Sequence, residues 1–107
     1  MAASMDDRQK AFESKFAHDA DLRFKAEARR NKLLGLWAAD LIGKKGDDAA
    51  EYAKEVVKSD FQEAGDEDVF RKVRGDLDAA GANVSDEQLR GKMIELMAEA
   101  IQQVQSN

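Results

Sequence analysis

The sequence predicts an all-α fold: an irregular four-helix bundle with a flexible N-terminal extension. Three observations predict it. The 107 residues contain no proline, and alanine, glutamate, lysine and leucine are plentiful, a composition that favours long uninterrupted helices. Apolar residues recur at intervals of three and four through four successive segments. The breaks between segments carry glycine and are two to five residues long, short enough to bring consecutive helices together antiparallel.

Residues 1–18 form the extension and 19–107 the four-helix domain. Residues 1–5 are small and weakly patterned, as in a disordered terminus. Residues 6–18, DDRQKAFESKFAH, read as a short amphipathic helix. Asp6 can cap it, with Gln9 at the capping-box position. Phe12 and Phe16 are four apart and share a face. A helix this short with so thin a stripe is marginal alone, so the segment is expected to order on a partner. The alternative, that both rings pack on the protein's own bundle, stays open.

The first firm helix is expected over residues 19–42, with Asp19 and Asp21 suiting its N-terminal dipole. Leu22, Ala26, Leu33, Leu36 or Trp37, and Leu41 recur at helical spacing. Its second half, RRNKLLGLWAADLIG at 29–43, holds the only tryptophan and the densest apolar residues. These cover more than one face, as in a strut touched from several sides. Gly43 ends it, and Lys44-Lys45-Gly46 makes the turn.

Asp47 is the expected N-cap of a second helix reaching about residue 62, with the stripe Ala49, Tyr52, Ala53, Val56, Val57 and Phe61. Gly65 breaks it. Asp66 caps the third, 67–80, whose face is Val69, Phe70, Val73, Leu77 and Ala80, and Asp68 and Lys72 form an i,i+4 pair. Gly81 stops it. Ser85-Asp86-Glu87-Gln88 is a full capping box. The fourth helix then runs to about residue 105, with Leu89, Met93, Leu96, Met97, Ala100, Ile101 and Val104 inward. Gly35, Gly75 and Gly91 fall inside helices, each either for close helix approach or by simple tolerance.

One domain of this length can fold without staples. The absence of cysteine excludes disulfides, thiolate metal sites and cysteine nucleophiles. No apolar run reaches the roughly 20 residues of a membrane span, and no secretory signal is visible, so a cytoplasmic chain is expected. The net charge is −5. Residues 23–32 carry five bases and one acid, and residues 47–68 nine acids and two bases. The overall acidity argues against nucleic-acid binding.

Catalysis is hard to assemble. One histidine, no cysteine and no glycine-rich strand–loop–helix leave few nucleophiles and no nucleotide cradle. Gly43-Lys44-Lys45-Gly46 is read as a solvated loop. Asp66, Glu67 and Asp68 open a helix, where acids are favoured anyway, rather than a metal site. His18 is the one side chain that titrates near neutral pH by default. A pH-sensitive hinge there competes with the plainer reading of a polar residue at a helix start. Arg23, Lys25, Arg29, Arg30 and Lys32 are the least routine feature, because bases gain nothing from a helix N-terminus. They suit an anionic partner surface, a nucleotide phosphate or RNA, or else a solvated face, and no aromatic stacking pattern for single-stranded nucleic acid accompanies them.

Ala11-Phe12-Glu13, Lys15-Phe16-Ala17-His18-Asp19, Leu22-Arg23-Phe24-Lys25-Ala26 and residues 28–39, with the later GDEDVFRKVRGDLDAAG at 65–81, closely resemble the zeta inhibitor subunit family of alphaproteobacterial F-type ATP synthase. The likeness covers about half the chain in two long segments. It implies a helical bundle with a mobile N-terminal segment that inserts at a catalytic interface of the ATPase head, against the rotary shaft, and blocks ATP hydrolysis. On this chain the inhibitory stretch is residues 1–18, and the implied partner contacts are Arg8, Lys10, Phe12, Lys15, Phe16, His18 and Arg23. The implied partner is the catalytic head of F-type ATP synthase. No nucleic acid and no direct membrane insertion are expected, and the location is cytoplasmic, peripheral to the inner membrane through the synthase. No catalytic residue, metal or cofactor is expected, beyond weak ATP or ADP binding by Lys25, Arg29, Arg30 and Lys32. That nucleotide-binding module, or a purely structural accessory subunit, is the alternative function.

Overall fold

The computed structural model describes residues 20–60 and 66–105. Within them lie four α-helices and no strand: α1 (Ala20–Leu41), α2 (Asp47–Ser59), α3 (Glu67–Ala79) and α4 (Asp86–Gln105). This is the all-α, four-helix class expected. Residues 1–18, and with them the expected N-terminal helix, lie outside the described residues, as do Phe61 and Gln62.

The helices alternate in direction. Gly35 of α1 meets Ala53 of α2, and Asn31 bonds Asp60, the α2 C-cap. Tyr52 and Glu55 of α2 reach Asp76 and Lys72 of α3. Glu67 and Arg74 of α3 pair with Arg90 and Asp86 at the start of α4. Arg29 and Trp37 of α1 meet Gln103 and Lys92 of α4. The strut is α1: it packs most heavily on α2 and α4 and also touches α3, whereas α2 and α4 do not pack on each other. α2 and α3, each of 13 residues, are shorter than α1 and α4, and α3 touches the other three helices, which makes the bundle irregular.

Leu34, Ala38 and Ala39 of α1, Tyr52 and Val56 of α2, Val69, Val73 and Leu77 of α3, and Leu89, Met93 and Leu96 of α4 form one buried cluster. On α1 the buried line is Ala26, Arg30, Leu34 and Ala38, one residue every four, with Asn31 and Ala39 beside it. The expected line differs. Leu36 and Leu41 are 38% and 42% exposed, and Leu22, Leu33 and Trp37 are only half-buried. The larger expected residues lie on the flanks, and of the expected residues only Ala26 lies at the centre, which it shares with Arg30, Leu34, Ala38 and Ala39. There α2 comes so close that a Cβ at Gly35 would stand 2.6 Å from Ala53 Cα. At Gly75 and Gly91 a Cβ would meet nothing within 4 Å. Gly35 is therefore a close-approach glycine, and the other two are merely tolerated.

The helix ends explain the boundaries. Gly43, at φ 85°, closes α1 in a Schellman motif: its N–H bonds Asp40 O, and the Lys44 N–H bonds Ala39 O at 2.8 Å. Gly81 repeats the motif after α3, with the Ala82 N–H on Leu77 O at 2.9 Å. Asp47 is not the N-cap of α2. Gly46 holds that position at φ 60°, and no side chain caps the helix. Asp47 and Asp48 instead occupy the first turn, where carboxylates favour the dipole. Asp66 is the N-cap residue of α3, yet its side chain caps nothing and turns to Arg30. Ala80 is exposed, one residue past α3. The expected Asp68–Lys72 pair is replaced by Asp68 with Arg71 at 2.8 Å and Lys72 with Asp76 at 2.9 Å. The α4 capping box forms: Gln88 N–H donates to Ser85 Oγ at 3.0 Å, and Ser85 N–H donates to Gln88 Oε1 at 2.9 Å. On α4, Leu89, Met93, Leu96 and Ala100 are buried, while Met97, Ile101 and Val104 are half-buried.

Candidate functional site

Because α2 and α4 pack on α1 and not on each other, a strip of α1 between them is not covered by either helix. Lys25, Arg29 and Lys32 are spaced four and three apart, which aligns them on one helix face. They line a groove of about 570 Å³ along the first half of α1. Leu22, Phe24 and Ala28 supply its apolar floor, Val57 of α2 stands on one side, and Val104 of α4 on the other. The site thus joins three cations to an apolar trough. Such a trough accepts an anion with an apolar body or an amphipathic helix that carries acids.

The surrounding pairs are local. Lys25 Nζ lies 3.3 Å from Asp21 Oδ2 and Arg23 Nε 3.5 Å from Glu27 Oε1, both well exposed. Exposed i,i+4 pairs of this kind are worth only about 0.3–0.5 kcal/mol, so both cations can change partners. Arg29 Nη1 donates to Gln103 Oε1 at 3.4 Å, and Gln103 Nε2 donates to Glu99 Oε1 at 3.2 Å. Arg29 is thereby braced against α4.

Arg30, grouped with these three by the sequence, points elsewhere. It is 5% exposed. Its Nε donates to Asn31 Oδ1 at 2.8 Å, and its Nη1 sits 3.5 Å from Asp66 Oδ2. Asn31, 1% exposed, donates from Nδ2 to Asp60 Oδ2 at 3.0 Å. A guanidinium is buried only when it is paired. Arg30 and Asn31 together grip the end of α2 and the start of α3, so Arg30 is a framework residue and not part of the groove. The sequence did carry the signal: Arg30 stands four residues from both Ala26 and Leu34. Arg23 is exposed on α1 and does not line the groove. Arg8, Lys10, Phe12, Lys15, Phe16 and His18 lie outside the described residues.

The remaining polar clusters are inert. The buried Tyr52 hydroxyl donates to Asp76 Oδ2 at 2.8 Å. Burial first, and then that bond, push its pKa well above the ordinary 10.0. Lys72 bridges Asp76 and Glu55 and lies 5.3 Å from the centre of the Tyr52 ring. Burial acts to lower its pKa, but the bond to Asp76 and the nearby carboxylates raise it overall. Both groups are driven further into their resting charge states, the reverse of what acid–base catalysis needs. Arg90 stacks 3.7 Å from the Phe70 ring centre and bonds Glu67, holding that carboxyl below its usual range. Among the described residues no cluster of three or more metal-ligating side chains occurs, and no helix is long and apolar enough to cross a membrane.

The model of a protein family described as ATPase inhibitor subunit zeta matches residues 1–103. A protein solved by solution NMR is similar to this chain at 55% identity, with a TM-score of 0.71, over 79% of this chain and 96% of that one. No curated protein matches the chain.

Proposed function

The chain belongs to the ATPase inhibitor subunit zeta family, and from that premise we propose that it inhibits F-type ATP synthase by wedging residues 1–18 into a catalytic interface of the ATPase head. Membership makes it an inhibitor subunit and not an enzyme. The observation that carries the mechanism is the reach of the family match. It begins at residue 1 and takes in the segment ahead of the bundle as well as the four helices. A segment that folds on binding can enter a cleft and be displaced again under another condition. Phe12 and Phe16 serve as the anchors, and Arg8, Lys10, Lys15, His18 and Arg23 set the register. The bundle is the carrier that stops the segment threading further. Its place is the cytoplasmic face of the inner membrane, held through the synthase.

The test is ATP hydrolysis by the isolated head, with the full chain and with a chain starting at Asp19. Inhibition by the full chain alone supports the wedge. Binding by both without inhibition by either makes the protein a structural accessory. Phe12→Ala with Phe16→Ala should weaken inhibition by about 2 kcal/mol, roughly thirtyfold. Unchanged inhibition removes both rings from the mechanism.

A second reading is weak ATP or ADP binding, favoured by the convergence of Lys25, Arg29 and Lys32 on one trough. Arg30 takes no part in it. Saturable shifts of those three residues on ATP addition, without a shift at Arg30, would support it. Unchanged spectra would end it.

A further inference from the structure

We propose that the strip of α1 between α2 and α4, from Lys25 through Arg29 and Lys32 to Leu36, is a docking surface of the bundle, and that its occupant is an acidic amphipathic helix of the ATPase head. That the occupant belongs to the ATPase rests on the function proposed above. Its acidic, helical character rests on the strip alone.

Shape comes first. α2 and α4 each pack on α1 and not on each other, so α1 presents a face between two apolar walls, Val57 of α2 and Val104 of α4. Helices pack with their axes about 8–10 Å apart, and a third helix laid along α1 would meet both walls.

Spacing follows. Lys25, Arg29, Lys32 and Leu36 are four, three and four residues apart, the alternation that makes a seam between two helices. The seam runs three turns, about 17 Å. Three of its four positions are cations, and the last is a leucine left 38% exposed. A partner helix with acids at the same alternation and an apolar residue at one end complements every position.

Charge fixes the sign. Among the described residues that line the groove none is acidic. The one acid between Lys25 and Leu36 in the sequence is Glu27. It lies about 200° round the helix from Lys25 and is paired with Arg23. Arg29, bonded to Gln103 of α4, holds a cation at the middle of the seam before any partner arrives. The whole chain carries −5, so the strip is a local exception. It draws a short row of acids at close range, while the net charge opposes an extended polyanion. The strip also opens on the second turn of α1, on the same helix that the segment proposed to enter the catalytic interface leads into.

Lysine acetylation of the full chain, alone and bound to the isolated ATPase head, reads the strip directly. With nine-tenths of the chain bound, Lys25 and Lys32 should react about tenfold more slowly, and Lys44 and Lys45, exposed in the turn beyond α1, at the same rate as in the free chain. Lys25→Glu with Lys32→Glu, both at exposed positions, should raise the Kd for the head about tenfold, mainly through slower association, and flatten its salt dependence. Lys25→Arg with Lys32→Arg should keep both properties. Leu36→Ser should weaken binding without changing the salt dependence. Lys25 and Lys32 reacting in the complex as in the free chain overturn the proposal. So does a Kd unmoved by the double reversal in a chain whose circular dichroism matches the parent. Slowing that grows with the concentration of the free chain identifies a second copy as the occupant, and slowing by ATP alone that the head does not extend identifies a nucleotide; each overturns the proposal. A complex that shields Lys25 and Lys32 yet hydrolyses ATP at full rate leaves the docking standing and refutes the inhibitor reading. Blocked hydrolysis with both lysines unshielded does the reverse.

Discussion

Gly35→Ala probes the point where α1 and α2 come closest. The new Cβ would stand 2.6 Å from Ala53 Cα, 3.1 Å from Ala53 Cβ and 3.3 Å from Val56 Cγ2. Carbon atoms in contact prefer about 3.5–4.0 Å, so α2 must retreat by roughly 1 Å. The atom struck hardest is backbone, and no rotamer relieves it. Overpacking a core costs about 1–3 kcal/mol, and a rigid obstacle places this case near the top of that range. Against it stands about 1 kcal/mol gained by replacing glycine with alanine inside a helix. The net expectation is a loss of about 2 kcal/mol, a fall in Tm of roughly 10 °C for a domain this size. Gly75→Ala and Gly91→Ala supply the contrast. Both are exposed, and their new Cβ atoms meet nothing within 4 Å. The helix-propensity gain stands alone there, and Tm should rise by about 5 °C. Thermal unfolding followed by circular dichroism measures all three. A Gly35→Ala protein melting at or above the parent would refute the close-approach argument.

Asn31→Ala strands the Arg30 Nε and the Asp60 carboxylate, and should cost about 2 kcal/mol, seen as a lower urea midpoint at unchanged m; an unmoved midpoint would mean the grip on the α2–α3 junction carries no weight. Ser85→Ala removes one half of the α4 capping box and should cost about 1 kcal/mol in the same assay. Glu67, bonded to Arg90, has its native pKa lowered from the ordinary 4.5. Its contribution is therefore present above that value and lost as pH falls through the lower native one. Glu67→Gln should lower stability at neutral pH and flatten the acid limb of the stability profile, and an acid limb as steep as the parent's would contradict the assignment.

How much was legible depends on what each feature needed. The glycine stops at 43 and 81 and the Ser85–Gln88 box are local devices, written in three or four consecutive residues, and they form as read. The stripes of α2, α3 and α4 survive at Tyr52, Val56, Val69, Val73, Leu77, Leu89 and Met93 for the same reason: one-sided burial leaves one period. α1 is contacted on several sides, so size and hydrophobicity misled there. Ala26 is buried as read, but Leu36 and Leu41 face outward while Leu34, Ala38 and Ala39 fill the core. Asp66 failed as a side-chain cap because a buried guanidinium needed a carboxylate more than the exposed helix start did. Nothing near Asp66 in the sequence announces that need.

The groove divides the same way. Lys25, Arg29 and Lys32 share a helix face by spacing alone, so a basic face was readable. Phase also separates Arg30 from them: it lies one residue, about 100°, around from Arg29, on the line of Ala26 and Leu34, both fully buried. A cluster counted by composition held four candidates, whereas the same residues sorted by helical angle held three and a strut. What no local pattern contains is the trough itself. Its sides come from Val57 and Val104, far apart in the chain, and it exists because α2 and α4 each pack on α1 without meeting. The basic residues come to line one concave site only through that tertiary gap.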